Sequence, residues 1–214
     1  VETRLVEARL QIIVAGPRAD SVLSDVLERS LPEAPHLVEA DGVALRREHR
    51  LGVGAWSLRG EATDLETISH RLEDAGAVPA ALEAVTAVRI ERGVAWFGVD
   101  FGEENFPQET GLEKQALSYS KGCYLGQEIV ARIHYRGHVN RHVRGLLAPS
   151  SVRLQAGQEL ALGGEKVGAV ASATWSPAMN ASIGLAMLHR KAEPEAGVAL
   201  ASGELLRVVP LPFV

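Results

Sequence analysis

Lys121-Gly122-Cys123-Tyr124-Leu125-Gly126-Gln127-Glu128 is the stretch on which the reading of this chain depends. It holds the single cysteine of the 214 residues, directly after a glycine and close to a lysine. Downstream the spacing becomes helical. Ile129, Val130 and Ile133 share one apolar stripe, with Glu128, Arg132 and Arg136 outside it. Glu128 falls in the first turn, where a carboxylate complements the helix dipole. Cys123 is therefore expected in a glycine-permitted bend just ahead of a helix N-terminus. Unpaired backbone N–H groups there favour an anion, a bound one or the thiolate itself. With Lys121 nearby, this setting predicts a thiol that ionises more readily than a free cysteine. The alternative is a small buried hydrophobe, the commonest fate of a lone cysteine.

Working outward, the motif continues through Ala131-Arg132 and Tyr135-Arg136-Gly137-x-Val139-Asn140-Arg141. Upstream lie Arg89-Ile90-Glu91-x-Gly93, Phe97-Gly98-x-Asp100 and Phe106-Pro107-Gln108-Glu109-x-Gly111-Leu112. Together these stretches, from Val85 to Leu146, resemble the signature of the YgfZ-type folate-binding proteins. Those proteins are relatives of the glycine-cleavage T-protein, the folate-dependent aminomethyltransferase. The resemblance implies an α+β fold: half of a split α/β sandwich followed by a small C-terminal β-barrel. It also implies a tetrahydrofolate site, with Asp100 receiving pterin N–H donors and Glu109 as a further candidate. Phe97, Gly122, Gln127, Arg132 and Arg136 complete the expected folate-binding set, and Cys123 with Lys121 forms the expected chemical centre. The chain starts at Val1, so part of the family's first sheet, with some folate-site residues, is expected to lie outside this sequence.

The segment Gly93–Ser120 suits such a ligand on chemistry alone. It carries Asp100, Glu103, Glu104 and Glu109 beside Trp96, Phe97, Phe101 and Phe106. Rings and carboxylates together match a flat heterocycle that stacks and offers N–H donors. The bland reading of Asp100 is a loop carboxylate in an Asx-type turn.

With 46% hydrophobic and 23% charged residues, the chain has the makings of a sizeable core. No apolar run approaches the ~20 residues of a membrane span. One cysteine excludes an internal disulfide framework and suits a reducing cytoplasm. A net charge of −5 argues against nucleic-acid binding by bulk electrostatics.

Two domains are expected, residues 1–140 and residues 141–214. In the first, Arg9–Ala15 reads as a strand, and Gly16-Pro17 opens a helix that buries Val22, Leu23, Val26 and Leu27. His36–Arg47 reads as two strands around Asp41-Gly42, and Gly52–Leu58 as another. Thr63-Asp64-Leu65-Glu66 reads as a capping box opening a helix that ends near Gly76. Pro79 begins a further helix. In the second domain six short runs are punctuated by turns: Val143–Ala148, Gln158–Leu162, Lys166–Trp175, Ser182–Leu188, Val198–Ala201 and Leu205–Val209. That count suggests a small barrel or sandwich.

His134, His138 and His142 recur every four residues, but a metal cluster needs a helix running unbroken through Gly137, and no metal site is expected. Between Ile129 and Gln158 there is no Asp or Glu, whereas Arg132, Arg136, Arg141, Arg144 and Arg153 are present. This predicts a basic strip for an anion such as a polyglutamyl tail or an RNA phosphate. The family resemblance implies an accessory protein supporting iron–sulfur enzymes, including tRNA-modifying ones, through a transient Cys123 thiol step. One thiolate does not hold a stable cluster. The alternative is a one-carbon transferase like the T-protein, whose members lack this cysteine. A Cys–His hydrolase is the outsider, resting on Cys123 with His134 or His138.

Overall fold

The computed structural model describes residues 10–31, 38–40 and 42–214. The chain forms two compact units, Val1–Leu82 and Glu83–Val214.

In the first unit β1 (Leu10–Ala15), α1 (Ala19–Val26), β2 (Val38–Ala40), β3 (Val43–Glu48), β4 (Ala55–Gly60) and α2 (Ala62–Asp74) follow in order. The strands form one antiparallel sheet in the order β1-β4-β3-β2. Alternation puts Val43 and Leu45 of β3, and Trp56 and Leu58 of β4, on the face covered by Leu23 and Val26 of α1 and Leu65, Ile68 and Leu72 of α2. The capping box was not where its sequence pattern suggested. Glu61 is the N-cap, and Thr63 lies inside α2 with its carbonyl accepting from the Thr67 hydroxyl at 2.9 Å. β4 runs to Gly60, which leaves no room for a loop before the helix. A side chain at residue 60 would meet Val43 Cγ1 at 2.7 Å, so glycine fits this corner.

The second unit opens with α3 (Leu82–Glu91), whose first residue still belongs to the first unit. It continues through a 3-10 turn (Pro107–Glu109), α4 (Glu113–Ala116) and α5 (Gln127–Arg136). Six strands then follow: β5 (Arg141–Leu147), β6 (Glu159–Leu162), β7 (Glu165–Ser176), β8 (Ala181–His189), β9 (Gly197–Leu200) and β10 (Leu205–Val209). They close into an antiparallel barrel in the order β10-β5-β8-β7-β6-β9. Leu146, Leu160, Leu188, Val198, Leu206 and Val208 are among the residues filling one continuous core there. The fold is therefore mixed helix and sheet ending in a closed six-stranded barrel, which the family resemblance implied and which decides between the barrel and the sandwich that the turn spacing left open. The barrel begins at Arg141, yet the compact unit holding it begins at Glu83. The reason is packing: Ile90 of α3 and Ala95 share a core cluster with Val143, Ile183 and Leu185 of the barrel wall. Among the described residues no helix is long and apolar enough to cross a membrane.

Candidate functional site

The Cys123 loop is open to solvent. Gly126 is the N-cap of α5 and takes a left-handed conformation at φ 85°, which strains any side chain. Gln127 then opens the helix, and its Oε1 accepts the Tyr124 N–H at 3.1 Å. Cys123, three residues ahead of the cap, is free and exposed, so it is not a buried hydrophobe. Beyond its two chain neighbours, nothing lies within 4 Å of a Cβ built on Gly122. Lys121 places its ammonium 4.6 Å from the ring centroid of Tyr124, a cation–π contact. The expected apolar stripe of α5 is shallow: Ile129 is 54% exposed and the helix buries no residue fully.

The base of the loop is closed by His134 together with two residues that sequence reading missed, Glu113 and Tyr119. Glu113 Oε1 accepts the Tyr119 hydroxyl at 2.8 Å and lies 3.1 Å from His134 Nδ1. The His134 ring stacks on Tyr119 with centroids 3.8 Å apart and planes 20° apart, and Tyr135 meets both edge-on. The hydrogen bond from Tyr119 is the largest cause holding the Glu113 carboxyl below its ordinary range; burial opposes it and His134 adds to it. Burial, then Glu113, pushes the Tyr119 hydroxyl up. Neither Glu113 nor Tyr119 carries a motif signal; only the chain path joins them to His134. The helix ends at Arg136, so His138 lies beyond it and His142 falls in β5. The three histidines share no helix, and among the described residues no group of His, Cys, Asp or Glu is placed to hold a metal.

Asp100 is placed differently from the expectation. Its side chain is 0% exposed and accepts from Arg89 Nη1 at 2.7 Å and from the Trp96 N–H at 2.8 Å, both on Oδ2. Oδ1 accepts the Ser172 hydroxyl. A register shift in β7 between Val170 and Ser172 accompanies this contact; such bulges re-aim side chains. Both carboxylate oxygens are thus committed to protein donors in this structure, and the Asx-type turn is not its role either. Phe97, from the same loop, is 64% exposed and meets Phe101 edge-on at 5.8 Å.

Glu109 is buried, with Oε2 accepting from Asn105 Nδ2 and the Phe106 N–H, each at 3.1 Å. Its Oε1 meets Arg141 Nε at the longer distance of 3.4 Å. The expected basic strip is not continuous. Arg132 pairs with Glu128 at 2.9 Å, Arg141 with Glu109, and Arg153 lies 3.9 Å over the Trp175 ring. The acid-free sequence window misled because Glu109 and Glu128 reach in from outside it. Arg136, the last residue of α5, has no carboxylate partner among the described residues.

His142 supplies a pH dependence. Burial and the Arg144 charge lower its pKa from 6.5, against weaker opposing pulls from Glu193 and Glu109. The folded state thus binds fewer protons than the unfolded state just below pH 6.5, and stability falls there as pH falls. His142→Gln is expected to flatten that loss, read as the difference in urea midpoints of the second unit between pH 7 and about 5.5 for the two proteins. Equal pH slopes for wild type and variant would exclude it.

The profile described as "Glycine cleavage T-protein C-terminal barrel domain" matches residues 141–214. An aminomethyltransferase of Rubrobacter xylanophilus is 33% identical over 67% of this chain and 39% of its own length. The tRNA-modifying protein YgfZ of Yersinia enterocolitica is 32% identical over 69% of this chain and 44% of its own length. The chain therefore spans less than half the length of these two relatives. The crystal structure of the glycine cleavage system aminomethyltransferase T from Bartonella henselae overlays with a TM-score of 0.80 at 20% identity. That overlay covers 96% of this chain and 60% of the other, and it shows the shared fold. With the barrel profile and both kinds of relative agreeing, the chain is a YgfZ-type protein related to the superfamily of the glycine-cleavage T-protein.

Proposed function

We propose that this chain is a folate-binding accessory protein that supports iron–sulfur-dependent tRNA modification in the cytoplasm through the thiol of Cys123. The observation that carries this reading is the open loop 121–126, which presents the single cysteine to solvent beside α5. An exposed thiol suits transient exchange with a partner protein, whereas a resident iron–sulfur cluster calls for several thiolates. The likeness to a tRNA-modifying relative supports the setting, and the proposed clients are iron–sulfur enzymes.

Reduced folate is the proposed ligand. A flat ring bearing a glutamyl tail is assigned to two features: Phe97 offers an exposed face, and among the described residues Glu109 Oε1 is held by the long Arg141 contact alone. Arg132 and Arg136, four apart on α5, give cationic charge for the tail, with Gly122 leaving the adjacent loop clear and Gln127 fixing its backbone. Asp100 contributes by ordering the loop that carries Phe97. The second reading is a tetrahydrofolate-dependent aminomethyltransferase, supported by the Rubrobacter xylanophilus relative.

Titration calorimetry with tetrahydrofolate tests the folate part. Phe97→Ala is expected to weaken binding by about two- to tenfold, the range of roughly 0.5–1.5 kcal/mol for a lost ring stack. Unchanged affinity removes Phe97 from the site, and no binding by wild type removes folate from the reading.

A further inference from the structure

The position of Cys123 depends on few contacts. Neither α4 nor α5 buries a residue fully, so apolar packing alone fixes neither firmly. The two ends of the intervening chain meet instead through polar and aromatic groups. Tyr119 ends the segment leading into the loop, His134 lies on the helix leading out, and Glu113 Oε1 accepts from Tyr119 and contacts His134. The Tyr119–His134 stack brings the chain on either side of Cys123 to 3.8 Å between ring centroids. Gln108 adds a second tie, its Nε2 donating to the Val130 carbonyl of α5 at 3.0 Å.

We propose that Glu113, Tyr119 and His134 form a clasp that fixes where Cys123 is presented, making them positioning residues for the thiol chemistry proposed above, on which this inference rests. Joining the ends of a short loop removes most of its conformational freedom, so the tip samples a narrower set of positions. A thiol that must meet one partner atom gains from that restriction. A small freely diffusing reagent does not, because Cys123 is already exposed with the clasp closed. One carboxylate oxygen serves both partners, so removing Glu113 takes both polar contacts away at once and leaves the ring stack as the direct tie between Tyr119 and His134. Tyr119→Phe removes only the hydroxyl hydrogen bond and keeps the stack.

Native-state hydrogen exchange tests the clasp, with amides 119–127 as the reporter and the barrel strands as internal control. Glu113→Ala is expected to speed exchange of the Tyr124 amide about fivefold or more, with Tyr119→Phe and Glu113→Gln in between and the barrel unchanged. The functional arm places Glu113→Ala at the gene's own locus. Iron–sulfur enzyme activity in those cells is expected to fall severalfold, while iodoacetamide alkylation of the purified variant stays within about twofold of wild type. Unchanged loop exchange overturns the clasp. Faster exchange with undiminished cellular activity overturns its positioning role. Full cellular activity of a Cys123→Ser strain overturns the underlying reading instead, and leaves the exchange result standing.

Discussion

Cys123→Ser is expected to cut the cellular activity of iron–sulfur enzymes that depend on this chain to below about a tenth, while leaving its fold and tetrahydrofolate affinity at wild-type values. The reasoning is chemical. Serine matches cysteine in size, but its hydroxyl forms neither a thiolate nor a mixed disulfide at neutral pH. Because the side chain is exposed in an open loop, the change touches no core and should alter stability by less than about 0.5 kcal/mol. An aminomethyltransferase works otherwise. It positions the folate against its bound substrate and needs no protein thiol, so it loses little on this substitution. The measurements are iron–sulfur enzyme activity in cells carrying either form, and aminomethyl transfer by the purified proteins. Full support by the serine form, together with measurable transfer, would decide for the transferase.

The fold was legible in the sequence where local patterns and tertiary packing agree. The six barrel strands fall within two residues of their expected limits because alternating residues such as Leu146, Val198 and Leu206 fill one core, and glycine pairs such as Gly163-Gly164 punctuate the turns. Helix α5 was legible because Gly126, Gln127 and Glu128 mark its start unambiguously. The site was less so, for two physical reasons. Hydrogen-bond partners far apart in sequence leave no periodicity: Asp100 and Ser172 meet across 72 positions, and Glu113 and His134 across 21. Charge windows also ignore neighbours outside them, as Arg132 and Arg141 show by pairing with Glu128 and Glu109. Thr63 failed as a cap for a third reason. Its pattern is present locally, but β4 runs to Gly60 and the helix starts directly after it with Glu61 as the N-cap.

Asp100→Ala is expected to destabilise the second unit by about 3–5 kcal/mol, the typical cost of removing one partner of a buried ion pair. Arg89 is 2% exposed, and Asp100 holds it from one side while the Val94 carbonyl accepts from the same Nη1 at 3.1 Å. The Trp96 ring lies 4.6 Å from the guanidinium, and Arg89 Nε has no hydrogen-bond partner among the described residues. Without Asp100 the guanidinium has lost its one carboxylate partner among the described residues, and the Ser172 hydroxyl loses its acceptor as well. Desolvation of those orphaned groups, rather than the strength of the pair, sets the loss. The double variant Arg89→Met with Asp100→Ala separates the two ideas. Methionine keeps much of the volume with no charge to bury, so the double variant is expected to be more stable than Asp100→Ala alone. Urea unfolding followed by Trp96 and Trp175 fluorescence, checked against barrel hydrogen exchange, gives both values. If Asp100→Ala shifts stability by less than about 1 kcal/mol, the pair carries no structural weight. Asp100 would then be free to turn toward a ligand, which the calorimetric titration of tetrahydrofolate against Asp100→Ala would register as weakened binding.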